Sequence, residues 1–266
     1  MSIEQELIIA KVGSTSIADK VHGLREDRVE SVAENVSRLR ELGAKVILVV
    51  SGAAYTGEAF CRQQGDLVRH TPQMYAGVGA ARVAVGMQDA LARHGIIANF
   101  EQVSHHEVDD RIEGRVFLDA TQEALDDGIL PVINANDVVS TDELIKNGWG
   151  DNDGLSAHIG QALNADRLLL TTDVRGLLRC GGKYLVHQVM SEADHSAGIY
   201  SYQEALGFAG YVEGQEPDNS MSSKMKAAYD FAQQGGVAHI AAASANWLHI
   251  LEGRVGTTIA PASQSV

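Results

Sequence analysis

Two lysines and one tight acidic turn are the residues of this chain best suited to chemistry. Lys11 ends the apolar run Leu7-Ile8-Ile9-Ala10 and is followed by Val12-Gly13-Ser14. A lysine at the end of a buried strand is costly unless it meets an anion. On position alone, a frayed and solvated strand end explains it equally well. Lys224 follows Ser220-Met221-Ser222-Ser223 at the opening of a late helical stretch, where a cation has the wrong sign for the helix dipole. Either it is an ordinary exposed lysine, or it shares an anion with the helix N-terminus. Between the two lysines lies Gly150-Asp151-Asn152-Asp153-Gly154. Asp153 there could simply cap a helix. Two carboxylates and an amide in one turn could also organise cations and hydrogen-bond a polar substrate.

These residues need a scaffold, and the apolar pattern supplies one. Leu7–Ala10, Lys45–Val50, Ile96–Val103, Leu130–Asn134, Arg167–Thr172 and Ala238–Ala243 read as strands, with Leu248–Leu251 as a further late strand. Helical spacing places Val29, Val32, Ala33, Val36, Leu39 and Leu42 on one face, with Gly43 as the cap that ends the helix. Further helices are expected over about 74–94, 117–125, 154–163 and 224–234. Leu177–Val189, with Gly181-Gly182 inside it, reads as a small hairpin. The strand–helix alternation predicts an α/β fold: a mostly parallel central sheet with helices on both faces, a three-layer αβα sandwich. No repeat, low-complexity segment or linker interrupts it. One domain over 1–266 is expected, with two lobes dividing near Thr171.

In such sheets ligands gather beyond the carboxyl ends of the strands. Four ends carry small or polar residues: Lys11-Val12-Gly13-Ser14, Ser51-Gly52-Ala53-Ala54, Asn134-Ala135-Asn136-Asp137 and Thr172-Asp173. Glycine lets backbone N–H groups approach an anion closely. The usual nucleotide signatures are missing, however. There is no GxxxxGK[ST] loop, and Gly77-Val78-Gly79 lacks a third glycine, so helix packing is its expected role. His105-His106-Glu107 is not a zinc motif and reads as a solvated helix start. No metal-ligand set is evident.

The 266 residues carry a formal net charge of −14. That charge argues against nucleic acid or an anionic membrane as partner. An anionic ligand would need cations concentrated locally. Cys61 and Cys180 have no metal spacing and fit a reduced compartment. The acidic start, Ser2-Ile3-Glu4-Gln5-Glu6, has no basic leader, and no apolar run spans a bilayer. A cytoplasmic location is the expectation, and the Asn35-Val36-Ser37 sequon carries no meaning there.

In this order the segments resemble the amino acid kinase superfamily, and within it the glutamate 5-kinases. The likeness runs from about Ile8 to Ile259. It is carried by Lys11-Val12-Gly13-Ser14, Val49-Val50-Ser51-Gly52-Ala53, Pro131 to Asp137, Gly150 to Ala157, Leu170-Thr171-Thr172-Asp173 with Gly176-Leu177, and Met221-Ser222-Ser223-Lys224. The resemblance implies transfer of a phosphoryl group from ATP to a side-chain carboxylate, giving an acyl phosphate, with Mg²⁺ arriving on the ATP. It assigns Lys11 and Lys224 to grip the transferring group and Asp153 to hold the lysines. The backbone at Gly13, Ser14 and Gly52 would bind the phosphoryl group. Ser51, Ala53, Asp137 and Asn152 would bind the amino acid, and Thr172, Asp173, Ser220, Met221, Ser222 and Ser223 the nucleotide. It places the amino acid in a lobe of about 1–170 and the nucleotide in one of about 171–266. A homodimer or homotetramer is implied.

The chain departs from the family pattern after Leu177, at Pro217-Asp218-Asn219-Ser220, at Phe117 to Thr121, and at Asn147-Gly148-Trp149. The RNA-binding-type C-terminal domain of many bacterial glutamate 5-kinases is expected to be absent. A paralogue acting on another amino-acid-like carboxylate, and a non-catalytic member of the fold, stand as the alternatives.

Overall fold

The computed structural model describes residues 3–66, 68–139, 152–210 and 220–261. The chain opens with β1 (Leu7–Val12), a single-turn helix α1 (Ser14–Ile17) and a small ribbon of β2 (Ala18–Asp19) and β3 (Gly23–Leu24). Then come α2 (Glu26–Glu41), β4 (Lys45–Val50) and a helical hairpin, α3 (Ala53–Gln63) and α4 (Pro72–Arg93). β5 (Ala98–Val103), α5 (His105–Asp109), α6 (Glu113–Asp126) and β6 (Leu130–Ala135) follow. Next are α7 (Asn152–Ala162), β7 (Arg167–Thr172), a second ribbon of β8 (Leu178–Arg179) and β9 (Tyr184–Leu185), β10 (Gln188–Met190) and β11 (Ile199–Ser201). The described chain finishes with α8 (Tyr202–Phe208), α9 (Ser220–Gln233), β12 (Val237–Ala242), α10 (Trp247–Leu251) and β13 (Thr257–Ile259).

Among the described residues nine strands form one sheet, ordered β11-β10-β13-β12-β7-β1-β4-β6-β5. The six strands from β12 to β5 are parallel. β13 runs antiparallel to β12, and β10 and β11 follow β13. β1 lies at the centre: the chain moves outward from it through β4, then crosses over to β7 on its other side. That reversal of strand order is where an α/β sheet opens a crevice at its carboxyl edge.

The period-two alternation of β1 sets the site. Ile8, Ala10 and Val12 pack with Val36, Leu39, Met87 and Trp247 on one face. Ile9 faces the other way, against Leu155, Ile159, Met225 and Phe231 of α7 and α9. Lys11 follows Ile9 by two residues, so its side chain emerges on the face that α7 and α9 cover.

Two expectations need correction or addition. Leu248–Leu251 is not a strand. The Asn246 side chain accepts from Leu248 N at 3.0 Å and His249 N at 3.4 Å, and this N-cap starts the helix α10. The helix α3, which the apolar spacing does not announce, packs against α4 across Gly57 and Gly79. A Cβ on Gly79 would collide with the Ala53 carbonyl, so Gly79 does serve helix packing. His105 to Glu107 do open a helix, closed by a Ser104–Glu107 capping box. Cys61 and Cys180 are free thiols. Among the described residues no helix is long and apolar enough to cross a membrane.

Candidate active site

Three charged side chains meet at the carboxyl edge, each from a different element. β1 brings Lys11, α7 brings Asp153 in its first turn, and α9 brings Lys224. Lys11 Nζ lies 2.6 Å from Asp153 Oδ1, and Lys224 Nζ lies 2.7 Å from Oδ2. All three are buried, at 5%, 1% and 4% exposure. Burial alone would push the Asp153 carboxyl up. The two ammonium groups outweigh it, Lys11 first, and hold it down at about 2. The trio therefore carries two positive charges against one negative in a site shielded from water. An anion arriving at this edge gains far more from that excess than it would in solvent.

The turn after β1 is pinned by a residue that the spacing of motifs does not single out. Gly13 N–H donates to Thr171 Oγ1 on β7 at 3.3 Å, and Ser16 Oγ lies 3.4 Å from the same hydroxyl. Ser14, half-buried, opens α1. Across the crevice Gly52 adopts φ +96°, a left-handed conformation, and turns β4 directly into α3. A Cβ there would be strained by that φ and would sit 3.4 Å from both Ile17 and Ala18 side chains.

Beside the trio, two amides stitch the ends of β4 and β6 together. Asn152 Nδ2 donates to Ser51 Oγ at 2.7 Å, and its Oδ1 accepts from Ala135 N at 3.3 Å. Asn134, part of a marked strand end but given no role there, donates from Nδ2 to Val50 O at 2.6 Å while buried within the sheet. Ala53 is buried just past Ser51. Asp137 follows β6 half-buried, and that burial pushes its carboxyl up to about 6. Ser51 and Asp137 thus follow the ends of adjoining strands, and Asn152, at the start of α7, is tied to Ser51.

On the other side of β1, Thr172 Oγ1 donates to Asp173 Oδ1 at 3.2 Å. Both line a pocket of about 350 Å³ with Thr15, Ser16, Arg28 and Ser244. In α9, Ser222 is fully buried and Met221 and Ser223 are half-buried one turn before Lys224. The Ser220 side chain, Gly150-Asp151, the 147–149 segment and Pro217-Asp218-Asn219 lie outside the described residues. Among the described residues no cluster of three metal-ligating side chains gathers. A pocket of about 310 Å³ opens at the opposite edge of the sheet. Its charged residues are engaged in structure: Arg167 is paired with Glu6 at 2.6 Å and donates to Leu251 O at 3.1 Å.

Comparison with known proteins shows the family and the fold. The profile of the amino acid kinase family matches residues 6–242. The glutamate 5-kinase of Thioalkalivibrio sulfidiphilus is 31% identical over 264 residues, covering 95% of this chain and 67% of that protein. The glutamate 5-kinase of Roseobacter denitrificans is 33% identical over 178 residues, covering 65% of this chain and 46% of that protein. The chain thus spans about half to two thirds of the length of the curated relatives it matches. A solved carbamate kinase from Giardia superposes with a TM-score of 0.66 at 17% identity, covering 97% of this chain and 99% of that one, which is a likeness of fold.

Proposed function

The chain belongs to the amino acid kinase family, and from that membership we propose that it transfers a phosphoryl group from ATP to the side-chain carboxylate of glutamate or a glutamate-like acid. The observation that carries this reading is the buried Lys11–Asp153–Lys224 trio. Phosphoryl transfer to an acceptor that is already an anion asks for in-line positioning and neutralised charge more than for a strong base. In this reading the bond from the γ-phosphorus to the bridging oxygen breaks and a bond from a carboxylate oxygen to phosphorus forms. ADP leaves and an acyl phosphate remains.

Lys11 and Lys224 contact the equatorial oxygens of the transferring group from two elements. Asp153 sets their spacing. Gly52 and the Gly13–Ser14 turn present backbone N–H groups to the same oxygens. For the Gly13 amide, this means exchanging the Thr171 hydroxyl for phosphate. Asp137 receives the acceptor's ammonium, while Ser51 and Ala53 line its backbone end. Asn152 is spent mostly on Ser51 and Ala135, so it acts chiefly by fixing the Ser51 hydroxyl. Thr172, Asp173 and the start of α9, Ser220 to Ser223, flank the nucleotide. Mg²⁺ would arrive with the ATP, and Asp153, whose two oxygens face Lys11 and Lys224, would not be needed to hold it. When bound it neutralises phosphate charge. The acceptor lobe is assigned to about 1–170 and the nucleotide lobe to about 171–266.

The test is ADP release with Mg-ATP across a panel of amino-acid carboxylates. Acid-dependent release with glutamate or a close analogue supports the reading. No release with any acid overturns it.

A further inference from the structure

A third pocket, about 1000 Å³, lies along α3 on the flank of the proposed acceptor end. The two helices that border the pocket, α3 and α4, also border that end. Ala54 lines the pocket and directly follows Ser51-Gly52-Ala53. Tyr75 lines it from α4, whose other side approaches the acceptor end: a Cβ on Gly77 would be 3.4 Å from Val138, the neighbour of Asp137.

The pocket reverses the sign of the chain around it. Lys20, Arg62 and Arg69 line it, against Glu58 and Asp66, in a protein of net charge −14. Glu58 is shared between Arg62 at 2.7 Å and Lys20 at 3.8 Å. Asp66 is turned to its own loop, accepting from Val68 N at 3.0 Å and pairing with His70 at 2.7 Å. The Tyr75 hydroxyl accepts from His70 N at 3.1 Å and donates to Val68 O at 3.3 Å. That wall is therefore tied down by side chains, not merely draped. Tyr55, with Lys20 5.1 Å over its ring, forms the opposite wall.

Glutamate leaves this pocket empty under the proposed function, on which the present inference rests. Its side-chain carboxylate belongs at the lysines and its ammonium at Asp137. What remains, the α-carboxyl, is the one point from which a substrate could continue. We infer that the acceptor is longer than glutamate: a glutamyl residue joined through its α-carboxyl to an acidic tail, as in an acidic dipeptide. The tail carboxylate is received by Arg62, Arg69 and Lys20 between Tyr55 and Tyr75.

The experiment compares α-linked Glu-Glu, Glu-Gln and glutamate as acceptors, by kcat/KM and by calorimetric binding. Glu-Glu is expected to exceed Glu-Gln and glutamate on the order of tenfold, the ratio that one or two charge-assisted contacts supply. In Arg62→Gln/Arg69→Gln that ratio falls toward one, and in Arg69→Glu a Glu-Lys tail overtakes Glu-Glu. Arg69 is exposed, so this second variant tests the charge without endangering the fold. Glutamate turnover equal to or above that of Glu-Glu overturns the inference and leaves the kinase reading standing. Binding of Glu-Glu that depends on Arg69, with no turnover of any acid, keeps the pocket and removes the kinase. Neither binding nor preference overturns the pocket outright.

Discussion

Lys224 Nζ donates to Asp153 Oδ2 across 2.7 Å and so locks the start of α9 to the first turn of α7. The second oxygen of the same carboxylate faces Lys11 at 2.6 Å. One buried acid thus fixes two cations, one from β1 and one from α9. Lys224→Ala removes a cation that acts on the charge of the transferring group, and Asp153 keeps Lys11 in place. We expect kcat to fall about 10²–10³-fold, the usual cost of one preorganised electrostatic contact, with a much smaller change in acceptor KM. Steady-state kinetics decide it, and wild-type kcat in the variant would remove Lys224 from the mechanism.

Asp153→Asn leaves two ammonium groups, both nearly inaccessible to water, without their shared carboxylate. Breaking a buried charge network in this way costs about 3–5 kcal/mol, read as a lower urea midpoint at neutral pH. The sign with pH follows from the carboxyl, which burial pushes up but Lys11 and Lys224 pull down, from its ordinary 3.8 to about 2. Its contribution to stability is full above about pH 4 and is lost as pH falls toward 2. Wild type should lose stability across that window more steeply than Asp153→Asn. Parallel acid limbs would contradict the pairing.

Much of this arrangement is legible in the order of residues alone. The continuous apolar runs of β1, β4 and β7 announce buried parallel strands, and the polar residues at their ends mark one edge of the sheet. Lys11, Asp153 and Lys224 stand at those ends or at helix openings, so the fold brings them together almost by necessity. Thr171 and Asn134 are harder to find because their roles are tertiary. A threonine that ends a strand and an asparagine within one look like ordinary strand residues until the neighbouring strand is placed. Leu248–Leu251 reads as a strand for a local reason. Three apolar positions and a histidine fit a strand as well as a helix, and the Asn246 cap decides for the helix. Arg62 and Arg69 of the α3 pocket are close in the sequence, but Lys20 is distant, and only the packing of the β2–β3 ribbon on α3 makes it their neighbour.

Thr171→Val keeps the shape of the side chain and deletes its hydroxyl. Gly13 N–H and Ser16 Oγ then lose the partner they share at 3.3 and 3.4 Å. Leaving such buried groups unpaired costs about 1–3 kcal/mol. The turn that follows Lys11 should loosen, lowering kcat by roughly tenfold, a change of about 1.4 kcal/mol in barrier. A thermal melt paired with kinetics checks both halves, and Thr171→Ser should restore most of each.

Asp137 gives the acceptor end its own pH signature. Burial raises its carboxyl to about 6, and only the ionised form attracts an ammonium. The acceptor's kcat/KM should therefore rise with pH through about 6 and level off above it. Asp137→Asn should be weaker above about pH 6, approach wild type below it and lack that rise, while any limb owed to ATP ionisation persists in both. An unchanged profile in the variant would take Asp137 out of substrate recognition.

The central claim is that this edge of the sheet builds an acyl phosphate. Hydroxylamine traps such a product as a hydroxamate, which can be counted against ADP released from Mg-ATP in the presence of glutamate or an α-glutamyl acid. The account predicts one hydroxamate per ADP with wild-type enzyme and neither product without the acid. ADP released with no hydroxamate, or none released with any acid offered, would contradict it.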